Sequence, residues 1–224
     1  MNMLETLPIE KQQLITEHLK LVIEANKKIN LTRIDSMEEG LLLHVEDSLI
    51  ALEEVNEAPN GPYADIGSGA GYPGMPIAIA TSRKTTLVDS RMKKMQVVGE
   101  MIDKLALGGQ IDTYPGRAEL LARKELGYYS VVTARALAKL PVLLELASPL
   151  LERSGRLVCY KAQLSESELN EALRVKSLTG MELVSDRKTM LGEDITRRII
   201  VFEKTSQPTI KLPRQEGMAQ KNPL

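Results

Sequence analysis

The chain of 224 residues is 43% hydrophobic, enough for one large core with a small helical addition. A single cysteine excludes an internal disulfide and a cysteine-rich metal site, and no apolar N-terminal run reads as a signal peptide or membrane span, so a soluble, cytoplasmic protein is expected. The formal net charge of -1 gives no global sign of a nucleic-acid partner.

In chain order, Leu14, Ile15, Leu19, Val22 and Ile23 recur at helical spacing after Pro8 and predict an amphipathic helix over 8–28. Asn30-Leu-Thr-Arg33 breaks it. Ser36-Met-Glu-Glu39 is a capping box, and Leu41, Leu42, Val45, Leu49 and Leu52 carry a second helix to 54. These two helices form an expected extension over 1–58. From Tyr63 onward strands and helices alternate, which predicts a parallel sheet with helices on both faces over 59–204. The strands are expected at 63–66, 85–89, 111–114, 128–134, 156–161, 182–188 and 198–203, the last two as a hairpin. Helices are expected from Gly74, over 92–107, 117–124 and 139–151, and from the capping box Ser165-Glu-Ser-Glu168 to Gly180. This is a Rossmann-like α/β fold with a seven-stranded, mostly parallel sheet. Residues 205–224 hold three prolines without apolar periodicity and read as an extended basic tail.

Charge is uneven along this order. Between Asp35 and Glu57 there are eight acids and no Lys or Arg; from Arg187 to Leu224 eight Lys and Arg stand against four acids. The basic end either meets phosphate or is a solvated edge and tail. If it grips RNA, Arg197, Arg214 and Lys221 carry the contacts and the acidic second helix faces away.

The chemistry centres on Asp65-Ile-Gly67-Ser-Gly69-Ala-Gly71-Tyr-Pro-Gly74, a strand followed by a glycine loop and a helix start. Gly69-x-Gly71-x-x-Gly74 also fits the dinucleotide pattern, but the strand ends at Gly67 with Asp65 in the same turn, where a carboxylate would repel a diphosphate. Pro73 and Pro76 further remove two N–H groups. A cationic ligand without phosphate, S-adenosylmethionine, is favoured. Asp89, ending the second strand about twenty residues on, either accepts the ribose hydroxyls or caps the next helix. At Gly116-Arg-Ala-Glu119, Ala118 and Glu119 could hold adenine, or the acid could serve the helix first turn. Arg135 ends the fourth strand facing the cofactor, and Lys161 ends the fifth. His18 falls on an apolar helix face, and His44 is a candidate to reach the cleft. Cys159 alternates with buried residues and reads as a core thiol. No metal-ligand spacing, nucleophile elbow or acid/base pair is visible, so the reaction should need little proton transfer.

Asn30-Leu-Thr, His44-x-x-Asp-Ser-Leu49, Asp65-x-Gly-Ser-Gly-Ala-Gly-x-Pro-Gly-x-Pro76, Leu87-Val-Asp-Ser90, Gly116-Arg-Ala-Glu119, Val132-Thr-Ala-Arg-Ala136, Arg197-x-Ile-Ile-Val201 and Pro213-Arg-x-x-Gly-x-x-x-Lys-x-Pro-Leu224 together resemble the RsmG/GidB family. These are bacterial methyltransferases that modify N7 of one guanine in 16S ribosomal RNA. The resemblance implies a class I S-adenosylmethionine-dependent fold, with Gly67, Gly69, Tyr72, Ala118, Glu119 and Arg135 lining the cofactor site and Asp89 on the ribose. It further implies that Asn30, Arg117, Arg135, Lys161 and Arg197 serve RNA binding and methyl transfer. It also implies 16S RNA or the small subunit as partner; from the sequence itself no metal, no membrane and a monomer are expected. Tyr72 and Ala162 depart from the family's usual residues. A small-molecule methyltransferase and a nonenzymatic RNA-assembly factor on the same fold are the other classes to test.

Overall fold

The structure, a computed structural model, describes residues 2–224. Seven strands form one sheet in the order β3-β2-β1-β4-β5-β7-β6. They are β1 Tyr63–Ile66, β2 Thr85–Asp89, β3 Ile111–Pro115, β4 Tyr129–Arg135, β5 Leu151–Lys161, β6 Met181–Leu191 and β7 Ile195–Lys204. β1 to β5 run parallel, and β7 pairs antiparallel with both β5 and β6. β1 and all but the last residue of β4 are buried, as expected of strands covered on both faces. The strand order reverses at β1, between β2 and β4. The crevice past its carboxyl end is therefore where such a sheet binds ligands, and the glycine loop leads into it.

The N-terminal residues share a core with the sheet. Ile15, Leu19 and Val22 of α1 (Ile9–Asn26) cluster with Met75 and Ala78 of the helix after the loop, Gly74–Thr81, and with Met95 and Met101 of Met92–Lys104. The second predicted helix is not continuous. It runs as α2 (Met37–Gly40), a π-helical turn over Leu41–Glu46, α3 (Asp47–Leu49) and α4 (Leu52–Asn56). The Ser36 cap forms as expected, its hydroxyl accepting the Glu39 N–H at 3.2 Å. In the widened turn the Leu43 carbonyl, His44 and Asp47 all reach Arg135 of β4.

After α4 the helices are α5 (Gly74–Thr81), α6 (Met92–Lys104), α7 (Ala118–Lys124), α8 (Leu140–Ala147), α9 (Glu166–Thr179) and α10 (Met218–Lys221). Several boundaries differ from expectation, and the closing hairpin is longer, β6 reaching Leu191 and β7 starting at Ile195. α6 stops at Lys104 because Ala106 adopts the left-handed region, φ 55°. α8 stops at Ala147: Ser148 keeps helical angles as its cap, but Pro149 has no N–H with which to continue the helical hydrogen bonds, and β5 starts at Leu151.

The last twenty residues are not a free extended tail. Arg214 pairs with Glu145 of α8 (Nε to Oε1 2.7 Å), a carboxylate that is almost fully buried. The Gly217 N–H, at φ 70°, donates to Glu119 Oε1 at 2.8 Å, and the single-turn α10 follows with Ala219 buried. A buried carboxylate needs a partner, and the tail supplies one to each of two. No helix among the described residues is long and apolar enough to cross a membrane.

Candidate active site

Beyond the carboxyl ends of β1, β2 and β4 lies a cavity of about 430 Å³, within the range of small-ligand sites. Gly67, Gly69, Tyr72, Asp89, Arg117, Ala118, Glu119 and Arg135 all line it. Asn30, Lys161 and Arg197 do not.

The glycine loop is held from two sides. Gly67 and Gly69 take φ 79° and 58°, and a Cβ on Gly67 would come within 2.9 Å of Leu137 Cδ1. Asp89 braces the loop: Oδ2 accepts the Gly69 N–H at 3.0 Å, and Oδ1 accepts the Arg91 N–H at 2.8 Å. Asp65, expected to face a cationic ligand, is instead fully buried beneath the loop. Its Oδ2 accepts the Gly74 N–H at 2.9 Å and its Oδ1 accepts from the Thr133 hydroxyl at 2.7 Å. Burial pushes this carboxyl up to about 6, opposed by those two hydrogen bonds. The carboxylate at the pocket wall is Asp89.

Arg135 is no exposed cleft arginine. Its Nη1 donates to Asp47 Oδ2 at 2.9 Å and to the Leu43 carbonyl at 3.0 Å, and its guanidinium lies 5.9 Å from the centre of the Tyr72 ring. Asp47 also accepts from Arg197 Nε at 2.7 Å, so one buried carboxylate joins the ends of β4 and β7 to α3. Arg197 thus sits behind Arg135. Lys161 is likewise engaged, donating to Glu168 Oε1 at 2.6 Å and to the Ala138 carbonyl at 3.0 Å. Asn30 is exposed on a neighbouring groove.

Tyr72 cannot offer an open ring face for base stacking. His44 stacks on it at 4.3 Å, His18 lies tilted at 4.9 Å, and the residue is only 3% exposed. His44 does reach the pocket. Its Nδ1 lies 3.4 Å from Arg135 Nη2, which can only donate, so Nε2 carries the proton and donates to Thr32 Oγ1 at 3.0 Å. Burial, and then the Arg135 charge, lowers His44 to about 4; burial, and then His44, lowers His18 to about 3. Among the described residues neither ring nitrogen of His18 has a hydrogen-bond partner in good geometry, although the Ala70 backbone lies close enough to oppose the lowering.

Both histidines fold neutral and take up protons on unfolding below their ordinary value of 6.5, so their contribution to stability is complete above pH 6.5 and is lost as pH falls toward 4. Asp65, raised, acts in the opposite sense between about pH 4 and 6 and offsets one of the two protons. His18→Leu removes one histidine without orphaning a partner. In urea unfolding at stepped pH, its stability relative to wild type is expected to rise by about 1.4 kcal/mol per pH unit below 6.5. A difference independent of pH would mean that His18 takes up its proton in the fold as readily as in the unfolded chain.

Cys159 is fully buried, and burial pushes its thiol up to about 12, too high for a nucleophile at neutral pH. Among the described residues no three His, Cys, Asp or Glu group so as to hold a metal ion. The pocket thus combines two carboxylates, Asp89 and Glu119, with four cations, Arg91, Lys94, Arg117 and Arg135; in its hydroxyl–imidazole pair, Thr32 with His44, the imidazole donates and so does not act as a base.

Over residues 11–196 the sequence matches GidB, rRNA small subunit methyltransferase G. The chain belongs to the GidB family. Its relatives include the ribosomal RNA small subunit methyltransferases G of Limosilactobacillus reuteri, 35% identical over 98% of this chain and 93% of that one, and of Bacillus pumilus, 36% identical over 97% and 92%. Solved structures share the fold at low identity. A putative sarcosine dimethylglycine methyltransferase from Galdieria sulphuraria superposes with a TM-score of 0.57 at 10% identity, covering 80% of this chain and 91% of its own. The [4+2]-cyclase SpnF reaches 0.58 at 12% identity, covering 71% and 81%. A cyclase on this fold means that the fold alone does not specify methyl transfer. In this GidB chain, sequence reading gave no role to Asp47 and Thr32, though both stand in quoted motifs, and none to Arg91 and Lys94. Asp47 lay within an acid run that reads as solvated surface, and the other three lay on segments read only as breaks or helix starts.

Proposed function

We propose that this chain transfers the methyl group of S-adenosylmethionine to N7 of one guanine in 16S ribosomal RNA. The observation that carries the reading is a pocket at the sheet's switch point whose rim holds four cations beside two carboxylates, a charge pattern with no purpose for a small neutral acceptor but suited to a polyanion.

The residues fit the methyl donor. Glycine Cα atoms allow a ligand close approach, and Asp89, though it accepts two N–H groups, keeps lone pairs for ribose hydroxyls. Ala118 and Glu119 serve adenine. One Glu119 oxygen takes the Gly217 N–H and the other is free, so the tail closes this end of the site. The Tyr72 hydroxyl, buried without a partner among the described residues, suits a polar atom of a ligand. When bound, S-adenosylmethionine supplies an electrophilic sulfonium methyl.

Guanine N7 carries a lone pair and no proton to lose. The protein's task is positioning and electrostatics rather than base catalysis. Arg117, which makes no ion pair among the described residues, lines the pocket, where its guanidinium can bind guanine O6 or a phosphate while leaving N7 open; Arg135, held by Asp47, adds fixed positive charge to the pocket wall. Arg197, through Asp47, and Lys161, through Glu168, hold strand ends in place, and Asn30 stands on the RNA side. The target base must be unstacked to reach the pocket.

The test mixes purified protein and labelled methyl donor with 16S RNA or small subunits lacking the modification. Label at N7 of a single guanine is expected. Label only on a metabolite panel, or RNA binding with no transfer, would replace the reading with one of the other two classes.

A further inference from the structure

Of the eight cations from Arg187 onward, most are committed within the protein. Arg187 pairs with Glu54 (2.6 Å), Arg197 with Asp47 (2.7 Å), Arg198 with Asp186 (2.6 Å) and Arg214 with Glu145 (2.7 Å). Lys204 is buried against the Ser148 and Leu151 carbonyls at 2.7 and 2.6 Å. The acidic second helical region does not face away from this end but neutralises part of it. A guanidinium already bridged to a carboxylate has little left for phosphate. The three exposed lysines left, Lys188, Lys211 and Lys221, stand on three different segments, β6, the tail and α10, so the basic stretch of the sequence is a poor RNA grip.

Uncommitted charge collects in a groove of about 830 Å³ between the end of α1, the 30–35 loop and the start of α6. Lys27, Arg33, Arg91 and Lys94 line it, with Asp35 the single acid among its lining residues. None of these four cations makes an ion pair among the described residues. Leu31, Thr32, Arg91 and Lys94 line this groove and the cofactor pocket alike, so the two are continuous. The wall is built rather than loose. Asn26 Oδ1 accepts the N–H groups of Leu31 and Thr32 at 2.8 and 3.0 Å, and Lys94 Nζ donates to the Leu31 carbonyl at 2.6 Å. Burial, and next the Arg91 charge, lowers the Lys94 ammonium from its usual value, with the Asp89 carboxylate opposing in part, so two like charges stand close together.

We infer that this groove, and not the C-terminal basic stretch, holds the RNA backbone beside the target guanine, with Lys27 and Arg33 contacting phosphates outside the pocket and Arg91 and Lys94 at its mouth. The inference rests on the proposed function. Phosphates placed there relieve the like-charge pair, and the 30–35 loop, tied down at Leu31 and Thr32, directs the strand past Thr32 toward the pocket.

The experiment uses the full chain and 16S RNA. Lys27 and Arg33 are exposed and touch only the groove, so the double variant K27A/R33A is expected to fold and to bind the methyl donor as wild type does. Its plot of log RNA affinity against log salt should be shallower by about 1.4, since each phosphate left unneutralised on a single strand removes about 0.7 from the slope, and KM for RNA should rise more than kcat falls. Asp35→Asn should tighten RNA binding. The control K188A/K211A, removing two exposed C-terminal cations, should leave the slope unchanged. Wild-type slope and methylation in K27A/R33A, or a slope reduced in K188A/K211A instead, would overturn the groove. A wild-type chain that binds 16S RNA without methylating it would sink the proposed function, while the slope comparison would still decide the groove.

Discussion

Asp47→Ala is expected to lower unfolding free energy by about 3–5 kcal/mol and to cut methyl transfer at the same time, because it leaves two guanidiniums without their counter-ion. Asp47 is 4% exposed and holds Arg135 at 2.9 Å and Arg197 at 2.7 Å. The three residues come from α3, β4 and β7, so the substitution unties the helical region from two strand ends at once. The effect on rate follows from geometry: Arg135 would keep only its bonds to the Leu43 carbonyl and His44, and its place beside Tyr72 would no longer be fixed. Asp47→Asn keeps the shape but presents an N–H₂ group toward one arginine, and should fall between wild type and alanine. Urea unfolding and turnover on 16S RNA check both parts. A denaturation midpoint equal to wild type would show that the carboxylate carries no weight in the fold.

The helix and strand order was legible because each signal is local: a buried strand, a glycine loop, a capping serine and an amphipathic stripe are each written within a short run of neighbouring residues. The pairing of distant charges was not. Asp47 meets its arginines across 88 and 150 residues, and Glu54 meets Arg187 across 133, so neither spacing rules nor a running charge count separates them from the exposed acids of the same run. Asp65 and Asp89 show the same limit at the cofactor loop. Both are acids at strand ends, yet burial by the first turn of α5 takes one away from the pocket and leaves the other on its wall. The tail was misread for want of a pattern: its anchoring depends on Arg214 finding Glu145 and on Gly217 finding Glu119, contacts that leave no periodicity. The π turn is equally silent, since Leu41, Leu42, Val45 and Leu49 satisfy an ordinary helix.

Gly74→Ala is expected to weaken methyl-donor binding by at least about tenfold, or roughly 1.4 kcal/mol, in calorimetry. Gly74 is the first residue of α5, and its N–H is one of the two donors that satisfy the buried Asp65 carboxylate. A Cβ there would meet the Leu87 side chain of β2 and lie 2.8 Å from Asp65 Oδ2 and 2.9 Å from Asp65 Cβ. Both neighbours are fully buried between the sheet and α5, so the helix start must move instead, and the loop from Gly67 to Gly71 moves with it. Overpacking of this kind costs about 1–3 kcal/mol in stability, and a lengthened Gly74–Asp65 bond adds the penalty of an under-satisfied buried carboxylate. Gly99→Ala is the control. It lies within α6, where a Cβ meets only Thr113 Oγ1 at an ordinary 3.8 Å, so the same chemical change should stabilise the protein by about 0.5–1 kcal/mol and leave donor binding alone. If Gly74→Ala bound the donor and unfolded as Gly99→Ala does, the close approach of loop, Asp65 and Leu87 would not be what shapes the pocket.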